Sequence, residues 1–71
     1  MTKIQLSSIQ LELLELVAIG KTDREIAVVS KLSLNTVKTY LARLRKKANV
    51  SNRTSLAMWF LTYKKTNEEQ L

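Results

Sequence analysis

Apolar residues recur along this chain at helical spacing, in four runs separated by short polar breaks. In the first run, about Ser8 to Ile19, Ile9, Leu13, Leu16 and Val17 repeat on one face, and Leu11, Leu14 and Ala18 widen it. A stripe that broad predicts a helix buried on most sides. Ser7 with Gln10 has capping-box spacing, and Gly20 suits the position just past the helix end. The second run, Asp23 to Ser30, opens with another capping box, Thr22 with Glu25, and turns Ile26 and Ala27 inward with Val29 alongside. The third, about Leu34 to Ala48, follows Ser33 as its cap. Val37, Leu41, Leu44 and Ala48 fall at i, i+4, i+7 and i+11, a narrow seam in an otherwise polar, small or basic segment. Asn49 then sits where a helix often ends in a left-handed residue. The fourth, about Arg53 to Lys65, places Leu56, Ala57, Phe60 and Leu61 inward. Residues 67–71 read as a frayed polar tail, so the domain is assigned to residues 1–66.

Composition sharpens this into an all-α, four-helix domain. With no proline and one glycine in 71 residues, the chain lacks the punctuation a turn-rich β domain needs. It is 45% hydrophobic and 25% charged, a globular balance. Cysteine and histidine are both absent, which removes disulfides and the two commonest zinc ligands. Without an imidazole or a thiol, an enzyme is not expected, and no cofactor is called for. Twelve Lys and Arg against six Asp and Glu give a net charge of +6, which points to a polyanionic partner. No apolar run nears the ~20 residues of a membrane span, and no leader pattern opens the chain. A reducing cytoplasm fits the missing cysteines, with nucleoid association when bound.

Only Lys31, Leu32 and Ser33 separate the second and third runs. A short helix, a three-to-four-residue turn and a longer helix is the helix-turn-helix arrangement, here about residues 23–42, whose second helix enters the major groove of double-stranded DNA. That groove is ~12 Å wide, so the entering face must be slim. Asn35, Lys38, Thr39 and Ala42 lie opposite Val37, Leu41 and Leu44; Ala42 keeps the middle slim, and Lys38 can donate to guanine. Ser33 and Thr36 sit at the helix start, where phosphate contact is favoured by the dipole. Thr22, the cap of the second run, is counted with the DNA-binding residues. From Asn35 to Ala48 there are five positive charges, Arg43 and Lys46 among them, and no acid.

The order of residues from Leu6 to Ala57 resembles the LuxR-type (GerE-like) helix-turn-helix domains of bacterial transcription regulators. The matching runs are G-K-T-D-R-E-I-A at Gly20 to Ala27, L-S-L-N-T-V-K at Leu32 to Lys38, and K-A-N-V-S-N-R at Lys47 to Arg53. The resemblance implies a four-helix DNA-binding domain whose third helix reads the groove, and a dimer through the fourth helix on a two-fold symmetric operator. It implies that Lys38 faces the groove, that Thr39 and Ala42 choose sequence, and that Thr36 contacts phosphate. It also suggests a bridge from Glu25 to Arg53, beside Glu25's simpler role as a cap. The chain departs from the family pattern at several places. Ile9 and Gln10 replace an Arg-Glu pair, Ser30 replaces a large aliphatic that Val29 either compensates or leaves loosely packed, and Asn49 replaces a turn glycine. Tyr40 replaces a histidine, with a hydroxyl that can still reach phosphate.

Trp59 and Tyr63, at i and i+4 and away from Leu56 and Phe60, are either a dimer contact with Ser55 and Thr62 or a half-buried pair. Such a patch suits a weak homodimer strengthened on DNA, and RNA polymerase is a further partner for a regulator of this kind. The competing functions are a sigma-factor-like promoter module, an antirepressor-like protein-interaction domain on the same fold, and a basic amphipathic membrane binder. The last is weakened because the third helix needs its narrow seam for a core.

Overall fold

Each helix begins where a polar side chain takes an otherwise orphaned amide. The structure, a computed structural model, describes residues 4–69, and side chains to residue 66. It contains α1 (Ser8–Ala18), α2 (Asp23–Ser30), α3 (Leu34–Ala48) and α4 (Arg53–Glu69), with no strand among the described residues. Ser7 accepts the Gln10 amide at 3.3 Å while Gln10 accepts the Ser7 amide at 2.8 Å. Thr22 and Glu25 repeat the exchange at 3.1 and 2.8 Å. Both capping boxes form as expected. Ser33 caps α3 at 3.1 Å. For α4, Asn52 accepts the Ser55 amide at 2.8 Å, a cap the apolar pattern does not reveal.

The first three helices end alike. Lys21 donates to Leu16, Leu32 to Ala27 and Val50 to Arg45, each closing a Schellman loop around a residue at positive φ. Those residues are Gly20 at +88°, Lys31 at 58° and Asn49 at 59°. Gly20 and Asn49 suit the conformation; Lys31 adopts it at a cost, because the turn into α3 requires it. Ile19 caps α1 rather than extending it. At the other end of the chain, α4 runs on to Glu69, past the expected end at Lys65, since Thr66, Asn67 and Glu68 offer no helix breaker. Residues 70 and 71 of the expected tail lie outside the described residues.

Leu13, Leu14, Val17, Ile26, Ala27, Val37, Leu41, Leu44, Leu56 and Phe60 form one core. α1 packs on α2, α3 and α4, and α3 packs on α2 and α4, which leaves the outer side of α3 uncovered. Two inward assignments are corrected. Val29 and Leu61 are exposed, because a helix turns about 100° per residue and both point well away from the buried arc. On α2 the third inward slot falls to Ser30 instead, and its hydroxyl is buried without a hydrogen-bond partner. On α4 the arc through Leu56 and Phe60 extends to Tyr63 and the edge of Trp59, which are part-buried against the core rather than turned away from it. Leu11, meant to widen the α1 stripe, lies at its exposed rim.

Candidate nucleic-acid interface

With Val37, Leu41 and Leu44 held inward, α3 has three outward strips, fixed by the helical period. Asn35, Thr39, Ala42 and Lys46 run down the middle, and all four are exposed. Ala42 leaves that strip low between longer neighbours. One flank carries Thr36, Tyr40 and Arg43, which with Asn35 and Thr39 line a shallow depression. Tyr40 and Thr36 are half-buried there, and Tyr40 also packs against the core. On the other flank, Lys38 and Leu34 face the cap residue Thr22, Asp23 and Arg24 from α2 and Arg53 from α4 across a second depression. The ten residues expected to meet DNA are thus brought to one side of the molecule, around α3.

The hydrogen bonds divide their labour. Ser33 accepts the Thr36 amide and donates its own proton to the Thr36 hydroxyl at 2.8 Å, so it is engaged within the turn. Thr36 keeps a proton to give outward. Lys47, one of the five cations of α3, donates to the Gln5 carbonyl at 3.0 Å and ties the segment before α1 to the end of α3. Arg45 is half-buried.

The carboxylates near this surface are already engaged. The Thr22 amide, then the Thr22 hydroxyl, hold Glu25 below the usual glutamate range, with Lys21 adding a smaller pull against slight desolvation. Arg53 does not reach Glu25. It donates to Asp23 at 2.6 Å and to the Lys21 carbonyl, so the bridge runs to the first residue of α2. No local signal in the sequence marks Asp23 as its partner, since the two lie thirty residues apart and meet only through the Arg53 side chain, α4 not otherwise packing on α2. Glu15 pairs with Lys64 at 2.8 Å, between α1 and α4. Arg24, Leu34 and Arg53, which help line the second depression, were not among the expected site residues.

The four residues expected at a dimer interface are not equivalent. Trp59 and Tyr63 stack at 5.5 Å, Tyr63 also stacks near Phe60 at 6.3 Å, and Ser55 is half-buried. Thr62 is exposed and donates back to the Met58 carbonyl. The large apolar side chains most open on α4 are Met58 and Leu61, 64% and 54% exposed. No helix among the described residues is long and apolar enough to cross a membrane.

The model of the bacterial regulatory protein family luxR (GerE) matches residues 4–60. The chain is 34% identical over 67 residues to a probable transcriptional regulator, ycf29, of Pyropia yezoensis, covering 94% of this chain and 30% of that protein. It is 40% identical over 50 residues to the transcriptional regulatory protein LiaR of Bacillus subtilis (strain 168), covering 70% of this chain and 24% of LiaR. The chain therefore spans less than a third of the length of these relatives. No solved structure matches it at a significant level. Matched over most of its length, and with its described residues folded into four helices around a helix-turn-helix, this chain belongs to the LuxR family of bacterial regulatory proteins, a family of DNA-binding transcription regulators rather than enzymes.

Proposed function

We propose that the domain inserts α3 into the major groove and binds a two-fold symmetric operator as a weak homodimer. The observation that carries this reading is the outer side of α3, where a slim, carboxylate-free strip runs between two polar flanks. Asn35, Lys38 and Thr39 reach base edges, while Thr22, Thr36, Tyr40, Arg43 and Lys46 hold the phosphates on either side. Ser33 serves by orienting Thr36 rather than by touching DNA itself. Selection of bound duplexes from a random library, at ~150 mM salt with competitor DNA, tests the reading directly. Enrichment of a palindrome with half-sites about one helical turn apart is the expected result. Recovery of unenriched sequence would sink it.

A separate surface supports a protein contact. On the outer face of α2, Val28 and Val29 stand 78% and 55% exposed beside Lys21, Arg24 and Glu25. Adjacent exposed apolar side chains form a contiguous patch, the kind of surface that marks interaction sites where scattered single residues do not. For a DNA-bound regulator, contact with RNA polymerase fits this face. In an antirepressor-like module the basic outer side of α3 would instead meet an acidic protein, so loss of duplex binding with partner binding intact would favour that alternative.

A further inference from the structure

The depression beside Lys38 holds three cations, Arg24, Lys38 and Arg53, and among the described residues lining it one carboxylate, Asp23. A carboxylate there is poorly placed for a surface that must meet phosphate. Asp23 is nevertheless well suited to its own helix, because it is the first residue of α2, where the dipole favours negative charge. Arg53 is the reverse case. It is the first residue of α4, where the dipole disfavours a cation. Its guanidinium instead spans two acceptors on another element, the Asp23 carboxylate at 2.6 Å and the Lys21 carbonyl. The side chains of the pair are 38% and 29% exposed, a setting in which an ion pair adds little stability. Its position in a cationic depression is the feature left to explain.

We propose that Arg53 is a positioning residue for DNA binding that masks Asp23. By neutralising that carboxylate, it leaves Arg24 and Lys38 to set the potential of the flank. This rests on the proposed DNA reading and adds to it an outward role for a residue that does not itself touch DNA.

The test is a double-mutant cycle on the whole chain, read by fluorescence anisotropy of a labelled mixed-sequence duplex at low and high salt. Arg53→Met exposes the carboxylate and should weaken binding roughly three- to tenfold at low salt, the size of one added charge a few ångströms from phosphate. The loss should shrink as salt screens the repulsion. Asp23→Asn should bind as well as the native chain or tighter. The double variant should return to within about twofold of native affinity, since nothing is left to mask. A double variant as weak as Arg53→Met would mean that Arg53 contacts phosphate itself, and would overturn the proposal. Equal losses from Arg53→Met and Asp23→Asn, insensitive to salt, would reduce the pair to a structural strut and overturn it too. Should Arg53→Met fail to fold, Asp23→Asn decides alone, and weaker binding by that variant overturns masking. A native chain that does not bind duplex defeats the DNA reading and this proposal with it, whereas native binding left unchanged by Arg53→Met defeats this proposal only.

Discussion

The hydroxyl of Ser30 is buried at the end of α2 with no partner. An unsatisfied buried polar group costs ~1–3 kcal/mol, and alanine removes the group while improving helix propensity. Ser30→Ala should therefore stabilise the domain by about 1 kcal/mol, roughly 4–8 °C in midpoint for a chain of this size. Thermal unfolding followed by far-UV circular dichroism checks it, and duplex affinity should not move. Glu25 makes the complementary case. Its pKa is lowered in the folded state, chiefly by the Thr22 amide, so its contribution is present above the ordinary glutamate value near ~4.3 and is lost as pH falls through that value and below. Glu25→Gln keeps an acceptor for the amide but cannot titrate. Acid unfolding of the variant should be shallower across that window, and an unchanged profile would show that the capping carboxylate does not govern acid sensitivity.

At the scale of the helix, α3 is where pattern and packing agree most closely. Its seam of Val37, Leu41 and Leu44, its Ser33 cap and its left-handed Asn49 were all legible, because each depends on residues within a few positions of one another. What depended on the third dimension was not legible. Arg53 lies thirty residues from Asp23, and Lys47 lies forty-two from Gln5. A one-residue error in helix phase misassigned Val29 for Ser30, since α2 is too short for its period to average out. The positive φ of Lys31 was hidden for another reason, as lysine carries no signal for it. Function at this scale separates by strip. Lys38→Ala should relax sequence preference and weaken binding, with ~1–3 kcal/mol of discrimination lost at the base it reads. Arg43→Ala and Lys46→Ala should weaken all sequences evenly. Affinities on a panel of single-base operator variants distinguish the two patterns, and a uniform loss from Lys38→Ala would move Lys38 to the backbone set.

Over the whole molecule, the charge that matters is the charge left unengaged. Five cations on α3 suggest a salt dependence with a slope on the order of −4 per monomer at about −0.9 per phosphate. Because Lys47 is tied to Gln5 and Arg45 is half-buried, the same slope is better carried by Lys38, Arg43 and Lys46 with Arg24 from α2. Arg24→Ala should then flatten the slope by about 0.9, and Lys47→Ala should leave it nearly unchanged. Titrations over a salt series decide between the two sets. Assembly follows the same logic of what remains uncovered. Trp59 and Tyr63 are largely committed to their own core, so Trp59→Ala should cost stability, about 1–3 kcal/mol, less than the ~3–5 of a fully buried aromatic. Met58 and Leu61, with Thr54 and Lys65 at i, i+4, i+7 and i+11, make the outward strip of α4 and offer the better contact between copies. A strip that small buries well under ~1,200 Å², the range of weak interfaces, so the free chain should be monomeric or weakly dimeric. DNA supplies the missing affinity by holding one copy beside another at high effective concentration. Met58→Ser with Leu61→Ser should abolish cooperative occupancy of a full operator while leaving half-site affinity and folding stability nearly intact. Footprinting across a series of half-site spacings reads both at once: equal losses on half and full sites, or indifference to spacing, would remove α4 from the interface.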